Sequence, residues 1–293
     1  MSTPTSLDLP AGVRRIGVPC GRGTFAALEA FPETGACELG TALLVPGYTG
    51  SKEDFLSILG GLADGGRRVL AIDQRGQYQT TGPDDPSAYG LAELGKDVSA
   101  LMQATGATHL LGHSFGGLVA REAVLAADAS PASITLMSSG PGAIPGERAS
   151  EVRSFLDAVG NASAPDDLSK AVGAMWRESL KPEAIASGVP AHIVAFLEER
   201  TLGNSATGLV AMARQLLTAE DRTAELAKLD LPVFVLYGED DNAWPTDIQE
   251  DMAARLTARR ECIPGAAHSP AVEAPATTAH ALTDFWNATE LAL

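Results

Sequence analysis

The stretch HLLGHSFGGLVA, from His109 to Ala120, predicts a strand, a sharp turn and a helix in direct succession. Ser114 stands at the tip of the turn, and Gly112 and Gly116 lie where larger side chains would crowd the backbone. The tip also begins a helix, whose free N–H groups favour negative charge. A glycine-rich turn can contain serine by chance, but the strand before it and the helix after it favour the nucleophile elbow G-x-S-x-G. Ser114 is therefore our candidate nucleophile.

Apolar runs on both sides of this stretch predict further strands of one sheet. They are Arg14–Val18, Thr24–Phe31, Thr41–Val45, Arg68–Ile72, Ile134–Met137, Leu231–Tyr237 and Glu261–Ile263. Between them, the sequence predicts helices at Lys52–Ala63, Gly90–Ala104, from the elbow to Ala127, Thr246–Leu256 and Ala274–Asn287. Strands that alternate with helices predict an α/β fold with a mostly parallel, doubly wound sheet of about eight strands.

The pattern changes between Pro141 and Arg222, where helical spacing continues without a strand-like run. The predicted helices there are Glu147–Val159, Pro165–Leu180, Pro190–Arg200 and Thr207–Leu217. A purely helical stretch inside an α/β pattern is best explained as a helical cap, residues 141–222, over the carboxyl edge of the sheet. A separate helical domain is less favoured because strands resume afterwards. Residues 13–140 and 223–293 then form the α/β core, and residues 1–12 a flexible N-terminal lead.

The chain is acidic, with 21 Lys and Arg against 37 Asp and Glu and a formal net charge of −16. This balance argues against nucleic acid and against an anionic membrane surface as partners. Cys20, Cys37 and Cys262 have neither the number of a disulfide framework nor a metal-binding spacing, which favours reduced thiols in the cytoplasm. The first residues carry no secretory signal pattern, and no apolar run is long enough to span a bilayer.

Polar residues follow three of the predicted strands: Ser114, then Asp240 or Asp241, then His268. Because the carboxyl ends of parallel strands meet at one edge of a sheet, we expect these side chains to lie together. A serine hydroxyl becomes a nucleophile when a base takes its proton, and histidine titrates near neutrality. A carboxylate can hold the imidazole in the required tautomer. The chain therefore contains a nucleophile, an acid and a histidine in that order, with two aspartates open as the acid.

This order and these motifs resemble the α/β-hydrolase superfamily, and above all its capped esterase, lactonase and cofactor-free haloperoxidase-like members. The resemblance runs from about Val13 to the end of the chain and is weakest in the cap. The sequence from Gly238 to Pro245 resembles the family's G-x-x-D-x-x-x-P, which implies Asp241 as the acid. The loop GAAH ending at His268 resembles its G-x-x-H, which implies His268 as the base.

The loop PGYTGS, Pro46–Ser51, resembles the family's oxyanion loop H-G-x-x-G and implies the backbone N–H groups of Tyr48 and Phe115 as the oxyanion hole. Pro46 is a departure, because histidine usually stands there. The run from Asp73 to Gly76 resembles the family's D-x-R-G turn, but the usual G-x-S after it is replaced by QYQT. We interpret Asp73 and Arg75 as a turn-stabilising pair.

The resemblance implies a serine hydrolase for a carboxylic ester, lactone or thioester with an apolar part. The same triad would also suit an acyltransferase, a perhydrolase or a C–C hydrolase, and a non-catalytic receptor on the hydrolase fold is the alternative from another class. We expect a small-molecule acyl substrate, no cofactor or metal, and a monomer or homodimer. Tyr48 and Trp176 are the predicted substrate contacts, and His113 is predicted to be a structural neighbour of the elbow.

Overall fold

The structure is a computed structural model that describes residues 2–32, 35, 37–126, 130–160, 162 and 164–291 of the 293-residue chain. Across these residues, the backbone forms one sheet of eight strands in the order β1-β2-β4-β3-β5-β6-β7-β8. They are β1 (Val13–Cys20), β2 (Gly23–Ala30), β3 (Thr41–Val45), β4 (Val69–Ile72), β5 (Ala107–His113), β6 (Ser133–Met137), β7 (Val233–Gly238) and β8 (Arg259–Ile263). β2 pairs antiparallel with β1 and β4, whereas the other neighbours are parallel. The predicted fold class is confirmed.

Helices cover both faces of this sheet, and others form the segment between β6 and β7. In chain order they are α1 (Leu56–Asp64), α2 (Leu91–Thr105), α3 (Phe115–Leu125), α4 (Gly146–Val159), α5 (Pro165–Met175), α6 (Lys181–Ala186), α7 (Ala191–Gly203), α8 (Ala206–Thr218), α9 (Thr223–Leu226), α10 (Thr246–Arg255), α11 (Pro270–Glu273) and α12 (Pro275–Glu290). α2, α3 and α10 contribute to the core on one face, and α1 and α12 to the core on the other. The predicted end of α3 at Ala127 lies outside the described residues.

Burial on both faces explains why the central strands are continuous apolar runs in the sequence. Side chains alternate along a strand, so in β3 Leu43 and Val45 enter one core while Ala42 and Leu44 enter the other. Because no position of such a strand faces water, the polar residues that end these strands mark the carboxyl edge of the sheet.

The segment between β6 and β7 is helical, with no strand among its described residues between 141 and 222. The helix predicted from Pro165 to Leu180 is interrupted, because α5 ends at Met175 and a π-helical turn, Trp176–Leu180, leads into α6. Pro182 supplies a physical reason, since it has no N–H for the carbonyl four residues before it and its ring crowds that carbonyl. The helical ladder adjusts by widening one turn.

The N-terminal lead, predicted to be flexible, packs against the protein at its first described residue. Ser2 is buried, and its hydroxyl lies 2.8 Å from that of Ser269. Its carbonyl accepts a hydrogen bond from Nη2 of Arg200 in α7 at 2.7 Å. Arg200 in turn donates to Oδ1 of Asp54, also at 2.7 Å, so this buried ion pair joins the lead, α7 and the turn before α1. No helix in the described part of the chain is long and apolar enough to cross a bilayer.

Candidate active site

Ser114 occupies a strained turn between β5 and α3. Its backbone has φ 55° and ψ −122°, a conformation that non-glycine residues rarely adopt. In this turn the backbone passes very close to itself, which is possible because Gly112 and Gly116 have no Cβ. A Cβ added to Gly112 would lie 2.2 Å from the carbonyl oxygen of Gly116, and one added to Gly116 would lie 2.5 Å from that of Pro46. The two glycines of the motif are therefore required because any larger residue would clash with a backbone carbonyl oxygen.

The structure brings Ser114, His268 and Asp241 into one chain of hydrogen bonds at the carboxyl edge of the sheet. His268 Nε2 lies 3.0 Å from the Ser114 hydroxyl, and its Nδ1 lies 2.9 Å from Oδ1 of Asp241. With Nδ1 protonated toward the carboxylate, Nε2 is free to accept the serine proton. Asp240, the other acid left open by the residues alone, is exposed to solvent.

Asp241 is fully buried and accepts hydrogen bonds from three groups. Besides His268, the Ala243 N–H donates to Oδ1 at 3.0 Å and the Gln249 side-chain amide to Oδ2 at 2.9 Å. Burial by itself would raise the pKa of Asp241, but its hydrogen bond and charge interaction with His268, together with the other two donors, outweigh burial and lower this pKa. The carboxyl therefore stays ionised at neutral pH.

His113, immediately before the serine, lies close to His268 with the two ring centres 5.1 Å apart. Burial lowers the pKa of His113 to about 3, with the nearby His268 as a further cause, so the ring is neutral near pH 7. Its Nε2 lies 2.7 Å from the His268 carbonyl oxygen. A carbonyl can only accept, so the single ring proton of His113 is on Nε2 and supports the loop that carries His268.

The candidate oxyanion loop packs directly against the serine. A Cβ added to Gly47 would lie 3.2 Å from Cβ of Ser114. The N–H of Phe115 is at the first turn of α3, where helical N–H groups have no intrahelical acceptor. Tyr48 follows Gly47 in the loop, and its ring hydroxyl donates to the Leu209 carbonyl of α8 at 2.8 Å.

Asp73 and Arg75 do not pair with each other, so our interpretation of them as a pair was wrong. Asp73 is buried, and its carboxylate accepts hydrogen bonds from the backbone N–H and the Nζ of Lys52, each at 2.8 Å. Arg75 points to the opposite side and donates from Nε to Asp97 of α2 at 2.7 Å. The backbone turns here, with the Gln77 N–H bonded to the Gln74 carbonyl at 2.9 Å and Gly76 at φ 70°, so the two side chains reach partners in different elements.

A cavity of about 220 Å³ opens onto Ser114 and His268. Its wall away from the sheet is mostly apolar and comes from the helical segment: Ile144, Val152, Phe155, Met175, Leu180, Leu209 and Leu216. Tyr48, one of the two predicted substrate contacts, lines the cavity. Trp176 does not line it, because this ring is fully buried against Ile193 and Leu197 of α7. The preceding residue, Met175, faces the cavity instead, and we leave Trp176 out of the proposed site.

Several supporting residues were missed by sequence reasoning. Glu273 accepts hydrogen bonds from the N–H groups of Ala267 and Ser269, on both sides of His268, at 2.7 and 3.0 Å. Three buried glutamines are hydrogen-bonded near the site as well: Gln249, and Gln74 and Gln77 in the turn after β4. A glutamine or glutamate in a helix or turn has no sequence signal that distinguishes it from a solvated side chain, so these roles required the structure.

Comparisons with known proteins place the chain in a family and agree with its fold. A family model described as Alpha/beta hydrolase family matches residues 42–281. A curated relative from Variovorax paradoxus (strain S110), named "Putative carbamate hydrolase RutD", is 37% identical over 97 residues, 32% of this chain and 36% of the relative. A hydrolase structure from Pseudomonas aeruginosa PA01 is 25% identical with a TM-score of 0.70, covering 94% of this chain and 99% of that one. A thermophilic esterase from Thermogutta terrifontis has the same fold, with 21% identity, a TM-score of 0.68 and coverage of 94% and 99%.

Proposed function

Because this chain belongs to the alpha/beta hydrolase family, we propose that it is a serine hydrolase that cleaves a carboxylic ester, lactone or thioester through an acyl-enzyme. In this proposal Ser114 is the nucleophile, His268 the base and Asp241 the acid. The observation that carries it is the unbroken set of contacts from the Ser114 hydroxyl through both His268 nitrogens to the buried Asp241 carboxylate, at 3.0 and 2.9 Å.

The proposed reaction begins when the Ser114 oxygen attacks the substrate carbonyl carbon and its proton passes to Nε2 of His268. Negative charge moves to the carbonyl oxygen, where the N–H groups of Tyr48 and Phe115 would stabilise it. Each such donor contributes about 10²–10³ to the rate in related enzymes. His268 then gives its proton to the departing alkoxide or thiolate, and water, activated by the same histidine, releases the acid.

The cavity supports a substrate with a mainly apolar part. Most side chains that the helical segment contributes to its wall are aliphatic, aromatic or thioether, beside the polar Arg148, Glu151, Thr201 and Asn204. Apolar surface buried there contributes roughly 25 cal/mol per Å² to binding. A carbamate offers the same kind of carbonyl, and the name of the Variovorax relative adds carbamates to the substrates worth assaying.

The proposal is tested by intact-mass measurement after exposure to a fluorophosphonate. An activated serine oxygen bonds to phosphorus, the P–F bond breaks, and fluoride leaves. We expect one adduct on the wild type, none on Ser114→Ala, and one on Ser57→Ala, which removes an exposed hydroxyl elsewhere on the chain. Ester, lactone, thioester and carbamate substrates are then assayed, and every substrate that the wild type hydrolyses should lose its turnover in Ser114→Ala. Absence of an adduct and of turnover in the wild type would favour the non-catalytic receptor.

A further inference from the structure

Two buried glutamines hold the candidate oxyanion loop by its carbonyl groups. The Gln74 side-chain amide donates to the Pro46 carbonyl at 2.8 Å. The Gln77 amide donates to the carbonyls of Gly47 at 2.7 Å and Tyr48 at 3.1 Å. Both glutamines are at most 3% exposed, so these bonds are protected from water. Three consecutive loop carbonyls are thus held by two side chains from the turn after β4.

This turn is itself firmly held. The Gln74 N–H donates to Oε1 of Gln77 at 3.1 Å, which fixes the orientation of the second amide. Asp73 accepts from the N–H of Gln79 at 3.2 Å and pairs with the buried Lys52 at 2.8 Å. These contacts fall where the sequence departs from the family's motifs, at Pro46 and after the D-x-R-G turn. Proline offers no polar side chain for the loop, and the glutamines supply polar contacts from the other side.

The geometry of a peptide unit gives these bonds a consequence for chemistry. In a trans peptide, the C=O of one residue and the N–H of the next lie in one plane and point in opposite directions. The unit that joins Gly47 to Tyr48 has its C=O bound by Gln77, so the Tyr48 N–H points away from Gln77. Gly47, in the candidate oxyanion loop, lies against Ser114. The Gly47 carbonyl also accepts a hydrogen bond from the Gly50 N–H at 3.1 Å.

We propose that Gln77, assisted by Gln74, is a positioning residue that orients the Tyr48 N–H for the negatively charged oxygen of the transition state. This inference rests on the proposed serine hydrolase function. Gln77 touches neither the substrate nor the reacting atoms in this account and acts through the peptide plane. Without it, the peptide keeps the weaker turn contact from Gly50 and can rotate, and misplacement by about 1 Å can cost 10²-fold in rate.

The test compares Gln77→Met, which has similar length but no amide, with Gln79→Met, an exposed glutamine on the same turn. The probes are p-nitrophenyl butyrate, a trifluoromethyl ketone of matching chain length, and an unreactive ether of the same shape. The ketone carbon bonds to the Ser114 oxygen, the proton goes to His268, and the ketone oxygen becomes the anion. Affinity for the ketone therefore reports the oxyanion hole, and affinity for the ether reports the cavity.

For Gln77→Met we expect kcat to fall at least tenfold, ketone affinity to fall by the same factor as kcat/KM, and ether affinity to stay within twofold. Gln79→Met should match the wild type in all three. Unchanged kcat and ketone affinity, or an equal loss of ether affinity, would overturn the positioning role. If Gln77→Met does not fold, Gln74→Met, which loses one loop contact, should show a smaller loss of the same kind. A wild type without Ser114-dependent turnover would instead refute the proposed function itself.

Discussion

Replacing Asp241 with asparagine would introduce a donor into a site where three donors already converge. Oδ1 of Asp241 faces the His268 ring at 2.9 Å and the Ala243 N–H at 3.0 Å, and Oδ2 faces the Gln249 amide at 2.9 Å. A carboxylate can accept from all of them, but a carboxamide has one oxygen and one NH₂ group. Either orientation of the asparagine therefore leaves a donor facing a donor.

Gln249 decides which orientation is adopted. Its amide nitrogen also donates to the Trp244 carbonyl at 2.7 Å, so turning the amide over would place two oxygens together. We therefore expect the asparagine oxygen to face Gln249 and its NH₂ group to face His268, with the remaining donor conflict at the Ala243 N–H. Nδ1 of His268 can accept from that NH₂ group when its proton moves to Nε2. In that tautomer Nε2 can no longer take the proton of Ser114.

The same carboxylate-to-amide change in a well-studied serine triad costs about 10⁴ in turnover through the same wrong tautomer. A loss of about 10⁴ corresponds to about 5.4 kcal/mol of transition-state stabilisation. We therefore expect kcat of Asp241→Asn to fall by about 10⁴ on a p-nitrophenyl ester, with KM nearly unchanged because the cavity walls are not altered.

The matched control is Asp240→Asn, an identical change at the adjacent exposed position. It should keep most of the wild-type kcat in the same assay. If Asp241→Asn retained a tenth or more of wild-type kcat, or if Asp240→Asn lost as much, the tautomer reasoning and the choice of acid would both be wrong. Melting temperatures of both variants, measured in parallel, separate loss of fold from loss of chemistry.

Two further predictions concern the elbow. His113→Gln should reduce the pH dependence of stability: the folded pKa of about 3 lies below the ordinary 6.5, so the unfolded chain alone binds this proton as pH falls and stability is lost below about 6.5. Between pH 7 and pH 5, His113 should account for a loss of about 2 kcal/mol in the free energy of unfolding of the wild type, measured in urea. An equal pH dependence in the variant would refute this role of His113. Gly112→Ala should destabilise by about 2–3 kcal/mol, because its Cβ would meet a backbone oxygen at 2.2 Å. Gly60→Ala in α1, with its nearest contact at 3.7 Å, should be neutral or stabilising in the same melts.

The fold and the principal site residues could be read from sequence because both depend on local pattern. Strands buried on two faces are continuous apolar runs, and Ser114 and Asp241 follow two of them, β5 and β7. His268 lies in the loop after β8, the largely exposed strand at the end of the sheet. The geometry that carries each of them is fixed by the strand end and the turn after it. The residues alone predicted which strand ends meet but left Asp240 and Asp241 open as the acid, and the resemblance to the family motif implied Asp241.

The supporting contacts depend on which way a side chain points, and pattern alone does not decide that. Met175 and Trp176 are adjacent and both apolar, yet about 100° of helical rotation between successive residues sends one to the cavity and the other to the core of the helical segment. Gln77 and Gln79 are alike in the sequence, but one is 1% exposed and the other lies at the surface. Separating such neighbours requires the packing of segments that are distant in the chain.

Tyr48 links two parts of the protein that a substrate would meet separately. Its backbone belongs to the candidate oxyanion loop, and its hydroxyl is bound to the Leu209 carbonyl of α8, which also lines the cavity. A ligand too large for the cavity would push α8 outward and pull on Tyr48 at the same time. In the proposed mechanism, an oversized substrate would then bind more weakly and also turn over more slowly, because the displaced Tyr48 N–H would stabilise the transition state less well. The size of the cavity would thus affect kcat as well as KM.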